Sequence, residues 1–277
     1  MSRGLAQAFT VVALFFAAHT EARAQEVPSC YAAARLGIAP PRPVRSVFVI
    51  VDQTTALDGE MRRMLEANLQ RLLSSGASFS IATFSAFSRG HYTTVLSSGA
   101  IEGAVPEGLR PSLSVVRLNA LDRCLARQQQ YAWHVAARAL ARAMSVPATT
   151  FSNSEIMASL AQLSDAVRAA PSANRVVIVA SDLMEHSSAT SFYAHRTLRT
   201  IDPAAEMKNA VGLGLTGDFG GARVYVVGAG LLPPEAGASV RNVSALNALV
   251  GFWTAWFRHS NARSATIGRP NVVTPIQ

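Results

Sequence analysis

The sequence predicts a doubly wound α/β fold: a mostly parallel central sheet with helices on both faces and one antiparallel edge strand. Two runs of β-branched and apolar residues, 44–51 (VRSVFVIV) and 175–180 (RVVIVA), have the continuous character of strands buried on both faces. Each run stops at an acidic loop, the first at Asp52 and the second at Asp182. Segments with apolar residues at helical spacing alternate with the strands, and that alternation builds a parallel sheet.

The elements follow in order. Residues 1–24 read as an export leader, with Arg3 before an apolar stretch at 9–18 and Ala22-Arg23-Ala24 as the cleavage pattern. That stretch is too short for a bilayer span and no later one is long enough, so the chain is expected beyond the inner membrane, periplasmic or secreted, and not membrane-spanning. Cys30 lacks the preceding small and apolar residues of a lipid-attachment signal. Residues 25–43 form a Pro-rich lead-in, 44–260 the domain, and 261–277 a tail expected to be a loose strap from Ser264.

After the first strand, 57–73 places Leu57, Met61, Met64, Leu65, Leu69 and Leu72 at helical spacing. Asp58 and Glu60 sit in its first turn, where the helix dipole favours them. Segments 78–84 and 91–97 alternate around Ser88-Arg89-Gly90 and predict the antiparallel edge pair. A Gly/Pro loop at 102–111 leads to a long helix at 118–144, ended by Pro147. The next helix, 154–170, turns Ile156, Met157, Leu160, Leu163 and Val167 inward. Beyond the second buried strand come a short helix at 204–211, a third strand at 223–227 and a closing helix at 240–259. The last carries Leu246, Leu249, Val250, Trp253 and Trp256 at the spacing of a packed face.

The formal charge is +8, and Lys208 is the sole lysine among 25 basic residues. A basic surface attracts acidic partners or anionic lipid, and for an exported chain nucleic acid is excluded as the expected ligand. Arg123, Arg127, Arg138 and Arg142 share one face of the long helix, as either a solvated face or a docking face on which Arg127 and Arg138 meet an acidic protein partner. Cys30 and Cys124 read as one disulfide in an oxidising compartment or as two buried free thiols. Neither has a CxxC partner, so a redox motif and a zinc site lack support.

Enzymatic motifs fare poorly. Gly212-Leu213-Gly214-Leu215-Thr216-Gly217 spells a dinucleotide fingerprint, but it follows a helix and precedes a strand, the reverse of what pyrophosphate binding needs. Gly228-Ala229-Gly230 follows a strand, and Pro233-Pro234 bars the helix that should come next. Ser181, Asp182, Glu185, His186 and His195 cluster in sequence, yet no G-x-S-x-G elbow accompanies them. The expectation is a chain without catalytic residues, with an exported hydrolase as the remaining alternative.

Two acidic loops at strand ends stand where open α/β sheets bind ligands. Their carboxylate and hydroxyl oxygens suit a hard cation such as Mg²⁺; alternatively, each acid caps the helix after it. The order strand, Asp52-Gln53-Thr54-Thr55-Ala56, helix, then a later strand ending Ser181-Asp182, resembles the von Willebrand factor type A (vWA) domain over 44–260. Ser154, six residues before Leu160, matches the hydroxyl that the family supplies from its second loop. Phe252-Trp253, Trp256-Phe257 and the Ile267-Gly268 segment are similar to the end of exported bacterial members. The resemblance implies a protein-binding module with Mg²⁺ or another divalent cation at Asp52, Thr54, Ser154 and Asp182. Gln53, Thr55, Glu185 and His186 are expected to face the partner. One departure is Ala56, where the family has serine. Water replaces that hydroxyl ligand, or the fold serves without metal as an accessory subunit of an envelope, secretion or conjugation complex.

Overall fold

The computed structural model describes residues 27–88, 91–145, 153–194, 197–232, 242–272 and 275–277. The leader, Arg89, Gly90, Pro147, His195 and Pro233-Pro234 lie outside them. The chain runs α1 (Cys30–Ala33), β1 (Arg45–Asp52), α2 (Gly59–Leu72), β2 (Ala77–Ser88), β3 (His91–Ala100), a 3₁₀ turn (Glu107–Ser112), α3 (Val115–Ala143) and α4 (Ile156–Arg168). It continues through β4 (Arg175–Ala180), β5 (Tyr193–Ala194), β6 (Thr197–Leu198), α5 (Pro203–Gly212), β7 (Arg223–Val227), α6 (Val243–His259) and β8 (Ser264–Ile267).

Six strands form one sheet in the order β3-β2-β1-β4-β7-β8. Every neighbouring pair is parallel except β2 with β3, the antiparallel edge. The chain builds outward from β1 to β3, then crosses back to β4 on the other side of β1. Doubly wound sheets bind ligands where the winding reverses in this way. Here the reversal lies between β1 and β4, whose register pairs Val51 with Ala180.

Strand alternation divides the core into two layers. Val47, Val49 and Val51 of β1 join Val176, Ile178 and Ala180 of β4 on the face covered by α2 and α3. Ile50, Val177, Val179, Val224 and Val226 turn to the opposite face, which α4 and α6 cover. That second layer is rich in rings: Phe252, Trp253, Trp256, Phe257, Phe219 and Phe192 are fully buried, and neighbouring rings meet edge to face. Such pairs add about 0.5–1.5 kcal/mol each beyond their buried area. The closing helix therefore packs as its spacing predicts.

The ends of the chain depart from expectation. The tail is no loose strap, because β8 pairs in parallel with β7 and completes the sheet. The lead-in is ordered too: Cys30, Tyr31 and Leu36 form a third apolar cluster with Val105, Leu118 and Leu121. Glu102, expected in a plain loop, is buried and holds α1 by its first turn. It accepts from Ser29 Oγ at 2.5 Å and from the Cys30 and Tyr31 N–H groups at 2.7 and 3.2 Å. Gln128 of α3 completes the latch, accepting from Glu102 N and donating to Pro28 O.

Cys30 and Cys124 are bonded, so of the two readings the disulfide holds. The bridge ties α1 to α3 across 94 residues of sequence. Closing a loop of that size restricts the unfolded chain, and removing such a bridge costs about 2–4 kcal/mol. Urea denaturation with and without reductant should show a loss of that size, and a Cys30→Ser/Cys124→Ser variant should match the reduced protein. Equal midpoints in all three would show that the lead-in latch holds unaided.

Candidate functional site

The two acidic loops leave adjacent strands, which brings Asp52, Thr54, Ser154 and Asp182 together although up to 130 positions separate them. Asp52 is 1% exposed and Asp182 4%. Oδ1 of Asp52 accepts from Thr54 N at 2.9 Å and Thr54 Oγ1 at 2.5 Å. Its Oδ2 accepts from Ser181 Oγ at 2.7 Å, with Ser154 Oγ at 3.5 Å. Thr54 Oγ1 also lies 3.1 Å from Ser154 Oγ, so the hydroxyls of the first and second loops meet.

Asp182 is held by different groups. Met184 N donates to its Oδ1 at 2.8 Å, and the Tyr193 hydroxyl donates to its Oδ2 at 3.2 Å. Its own N–H donates to Thr55 Oγ1, and its carbonyl accepts from Gly230 N. Leu183 then turns into the left-handed region at φ 60°, a conformation that costs a non-glycine residue energy and concentrates at functional sites. Three contacts hold it there: the Leu183 side chain is fully buried, its N–H donates to Ser181 Oγ, and its carbonyl accepts from Trp253 Nε1 at 2.8 Å. Trp253 is thus a core residue that also fixes the loop.

The capping of α2 removes one reading of Asp52. Asp58, not Asp52, caps α2 by accepting from Met61 N. The N-cap position of α4 is held by Glu155, whose side chain makes no capping bond, and Ser154 just before it turns its hydroxyl to Thr54 and Asp52. The first N–H groups of α4, on Ile156 and Met157, donate instead to Glu185 Oε2, both at 2.9 Å. Neither Asp52 nor Ser154 is therefore spent on a helix end.

Glu185 is corrected by this arrangement. Expected to face a partner, it is 1% exposed, because the orphan donors at the start of α4 need its carboxylate. Thr55 is half-buried and its hydroxyl joins the two loops. His186 contributes mainly through its backbone, which exchanges two hydrogen bonds with Ser154, while its ring Nδ1 meets Ser191 Oγ at 2.9 Å. Gln53 is half-buried beside a cavity of about 250 Å³, walled by Asp52, Thr55 and Arg62 and by Ala143, Met144 and Ser145 at the end of α3. Arg127 and Arg138 are exposed on α3.

Electrostatically the site is two buried carboxyl groups, each harder to ionise than an ordinary one. Burial pushes the Asp52 carboxyl above its ordinary range against the pull of the Thr54 and Ser181 hydrogen bonds. Burial raises Asp182 well above its range, and the Asp52 charge raises it further. Among the described residues neither acid makes an ion pair. Burial, and then the Asp182 charge, also raises the Tyr193 phenol, which stays protonated and able to donate. Sequence reasoning missed Tyr193; the chain between it and Asp182 gives no periodic signal that the ring folds back.

The sites set aside in the sequence have structural uses. Gly212 ends α5, and a side chain at Gly217 would overlap Ser164 of α4, so that glycine serves close packing. Ser181 is fully buried with its hydroxyl committed to Asp52, a poor arrangement for a nucleophile.

The strand order, the antiparallel edge and the two converging loops give the chain a vWA-like fold. No protein-family model matches it, and neither does any curated protein. Among solved structures, it is similar to an aerotolerance-related membrane protein from Bacteroides fragilis at 9% identity, covering 82% of this chain and 92% of that one, TM-score 0.35. It is also similar to the SpRpn10 VWA domain (10%, covering 80% and 86%, TM-score 0.34) and to BatB from Bacteroides thetaiotaomicron (11%, covering 75% and 86%, TM-score 0.34). Likeness this loose carries nothing about function.

Glu185 offers a test of the site's frame. Burial raises its folded value to about 7 from 4.5, so the folded protein holds the proton across that window and stability falls as pH rises through it. The loss is on the order of 3 kcal/mol at about 1.4 kcal/mol per pH unit. Glu185→Gln keeps an acceptor for Ile156 and Met157 without a charge. Denaturation across the window should show a shallower fall for the variant, while Asp52 and Asp182 contribute equally to both proteins. Parallel profiles would remove Glu185 as the cause.

Proposed function

We propose that this chain is an exported vWA-like module that recognises a protein partner through a divalent cation at Asp52, Thr54, Ser154 and Asp182. One observation carries the reading: two buried carboxyl groups lie close enough for the charge on Asp52 to raise Asp182, among the described residues neither has a basic partner, and the Thr54 and Ser154 hydroxyls converge on Asp52. Uncompensated buried charge is costly, and a cation there would relieve it.

The donor set fits such an ion. Carboxylate and hydroxyl oxygens are hard ligands, and Mg²⁺ keeps several waters when few protein ligands are offered. Among the described residues no three His, Cys, Asp or Glu side chains cluster to hold a metal, so hydroxyls and water must make up the set. The ion would supply a fixed positive charge able to receive a carboxylate from the partner. Thr55 and Tyr193 brace the Asp182 loop, and the Ser154–His186 backbone pair holds the second loop in place.

The Cys30–Cys124 bridge supports an oxidising compartment, in keeping with the leader read at 1–24. Among the described residues no helix is long and apolar enough to cross a membrane. A second reading, a metal-free accessory subunit, draws on Ala56 and on the hydroxyl donors that already satisfy Asp52.

Isothermal titration with Mg²⁺ and Mn²⁺ separates the two. Wild type should bind, Asp182→Asn should weaken binding at least about tenfold by removing a charged ligand, and Ala56→Ser should tighten it. Ala56 is exposed, so its replacement leaves the packing intact. Absence of binding in both wild type and Ala56→Ser would overturn the metal and leave the accessory reading.

A further inference from the structure

We propose that the outer face of α3 docks the protein on an anionic lipid bilayer. The helix has 29 residues, so it is about 43 Å long at 1.5 Å per residue. Its inner face is buried through Leu118, Leu121, Ala132, Val135, Ala139 and Leu140. At about 100° per residue, Arg123, Arg127, Arg138 and Arg142 fall within an arc of about 100° that runs from the side opposite the buried stripe, at Arg123, to its margin, at Arg142. All four are exposed.

Their charge is uncompensated. The one acid in α3, Asp122, lies at the flank and pairs with Arg110 of the preceding turn. Among the described residues none of the four arginines makes an ion pair. Arg127 donates to the Arg123 carbonyl and Arg142 to the Leu96 carbonyl, neutral acceptors that leave each positive charge in place.

The same face and its leading end expose apolar groups. Val115 is 70% exposed, Val116 77%, Leu109 of the preceding turn 49%, and Tyr131, between the two arginine pairs, 48%. A bilayer interface takes both: lipid phosphates meet the guanidinium groups while valine, leucine and tyrosine enter the headgroup boundary. Arg123 and Arg127 lie several turns from the cavity beside Asp52, which is walled by Ala143 at the end of α3 and by Met144 and Ser145 after it, next to Arg142.

Vesicle co-sedimentation of the purified protein tests this, using phosphatidylcholine alone and phosphatidylcholine mixed with phosphatidylglycerol. Wild type should bind the mixed vesicles at low salt, release at high salt and ignore pure phosphatidylcholine. Arg127→Glu/Arg138→Glu should lose roughly a hundredfold or more in partition, since each basic residue near such a surface is worth about 1 kcal/mol and reversal doubles the change. Arg127→Lys/Arg138→Lys should stay within a few-fold of wild type, and thermal melts should show all three proteins folded. Equal binding to both vesicle types, or unchanged binding of the charge-reversed protein, would overturn the proposal. So would failure to bind mixed vesicles alongside arginine-dependent binding of polyglutamate, which would assign the face to an acidic polypeptide.

Discussion

Asp52 and Asp182 end neighbouring strands with their carboxyl groups buried, and each raises the cost of charge on the other. Most polar groups around them answer that constraint. Thr54, Ser181 and Ser154 direct hydroxyls at Asp52, while Tyr193 and Met184 N serve Asp182. The consequences extend outward. Ser154 turns its hydroxyl to Asp52, Glu155 at the head of α4 makes no side-chain cap, and the buried Glu185 receives the first N–H groups of the helix instead. To bring Glu185 there, the chain after Asp182 turns through a left-handed Leu183, which Trp253 holds by its carbonyl. One electrostatic problem thereby reaches from the sheet edge to the aromatic core.

The topology explains why the acids meet at all. Parallel strands put their carboxyl ends at one pole, and reversal of the winding between β1 and β4 leaves their loops free to diverge to opposite faces. Each strand is apolar on both sides because helices cover both, so the first polar residue after the strand falls at the rim. Asp52 and Ser181-Asp182 occupy that rim. A shift of either strand by one residue would move every valine to the other layer and pull the acids out of register. Core packing and site geometry are thus one specification.

This explains which parts could be read from the sequence. The strands at Val47–Val51 and Val176–Ala180 are legible because burial on both faces demands an uninterrupted apolar run, and the helices because one-sided burial imposes a period. Asp52, Thr54, Ser154 and Asp182 are candidates through the resemblance of spacing, and the parallel topology brings their loops to one pole of the sheet. Glu185 was misread because a carboxylate near an acidic loop looks exposed; only the geometry of α4 shows whose N–H groups need it. Tyr193 and Glu102 act on residues with no periodic relation to them, so their roles exist only in three dimensions. β8 is four residues long and half-exposed on an edge, and so carries neither signature of a strand.

The helix α3 draws these parts together. Its inner face fills the layer beneath β1 and β4, Cys124 and Gln128 clasp the lead-in, and its last turn walls the cavity beside Asp52. Three sides of the helix are thus committed, and substitutions there would disturb packing, latch or site. The outer side is free of such duties, yet its charged residues are arginines without acids to answer them. Glutamates at the spacing of helical neighbours would stabilise the helix by a few tenths of a kcal/mol per pair, and this side of α3 carries none beside its arginines. Four exposed positive charges without acids beside them are what the proposed docking on an anionic bilayer would use, and the acidic pole of the sheet meets this helix only at its last turn.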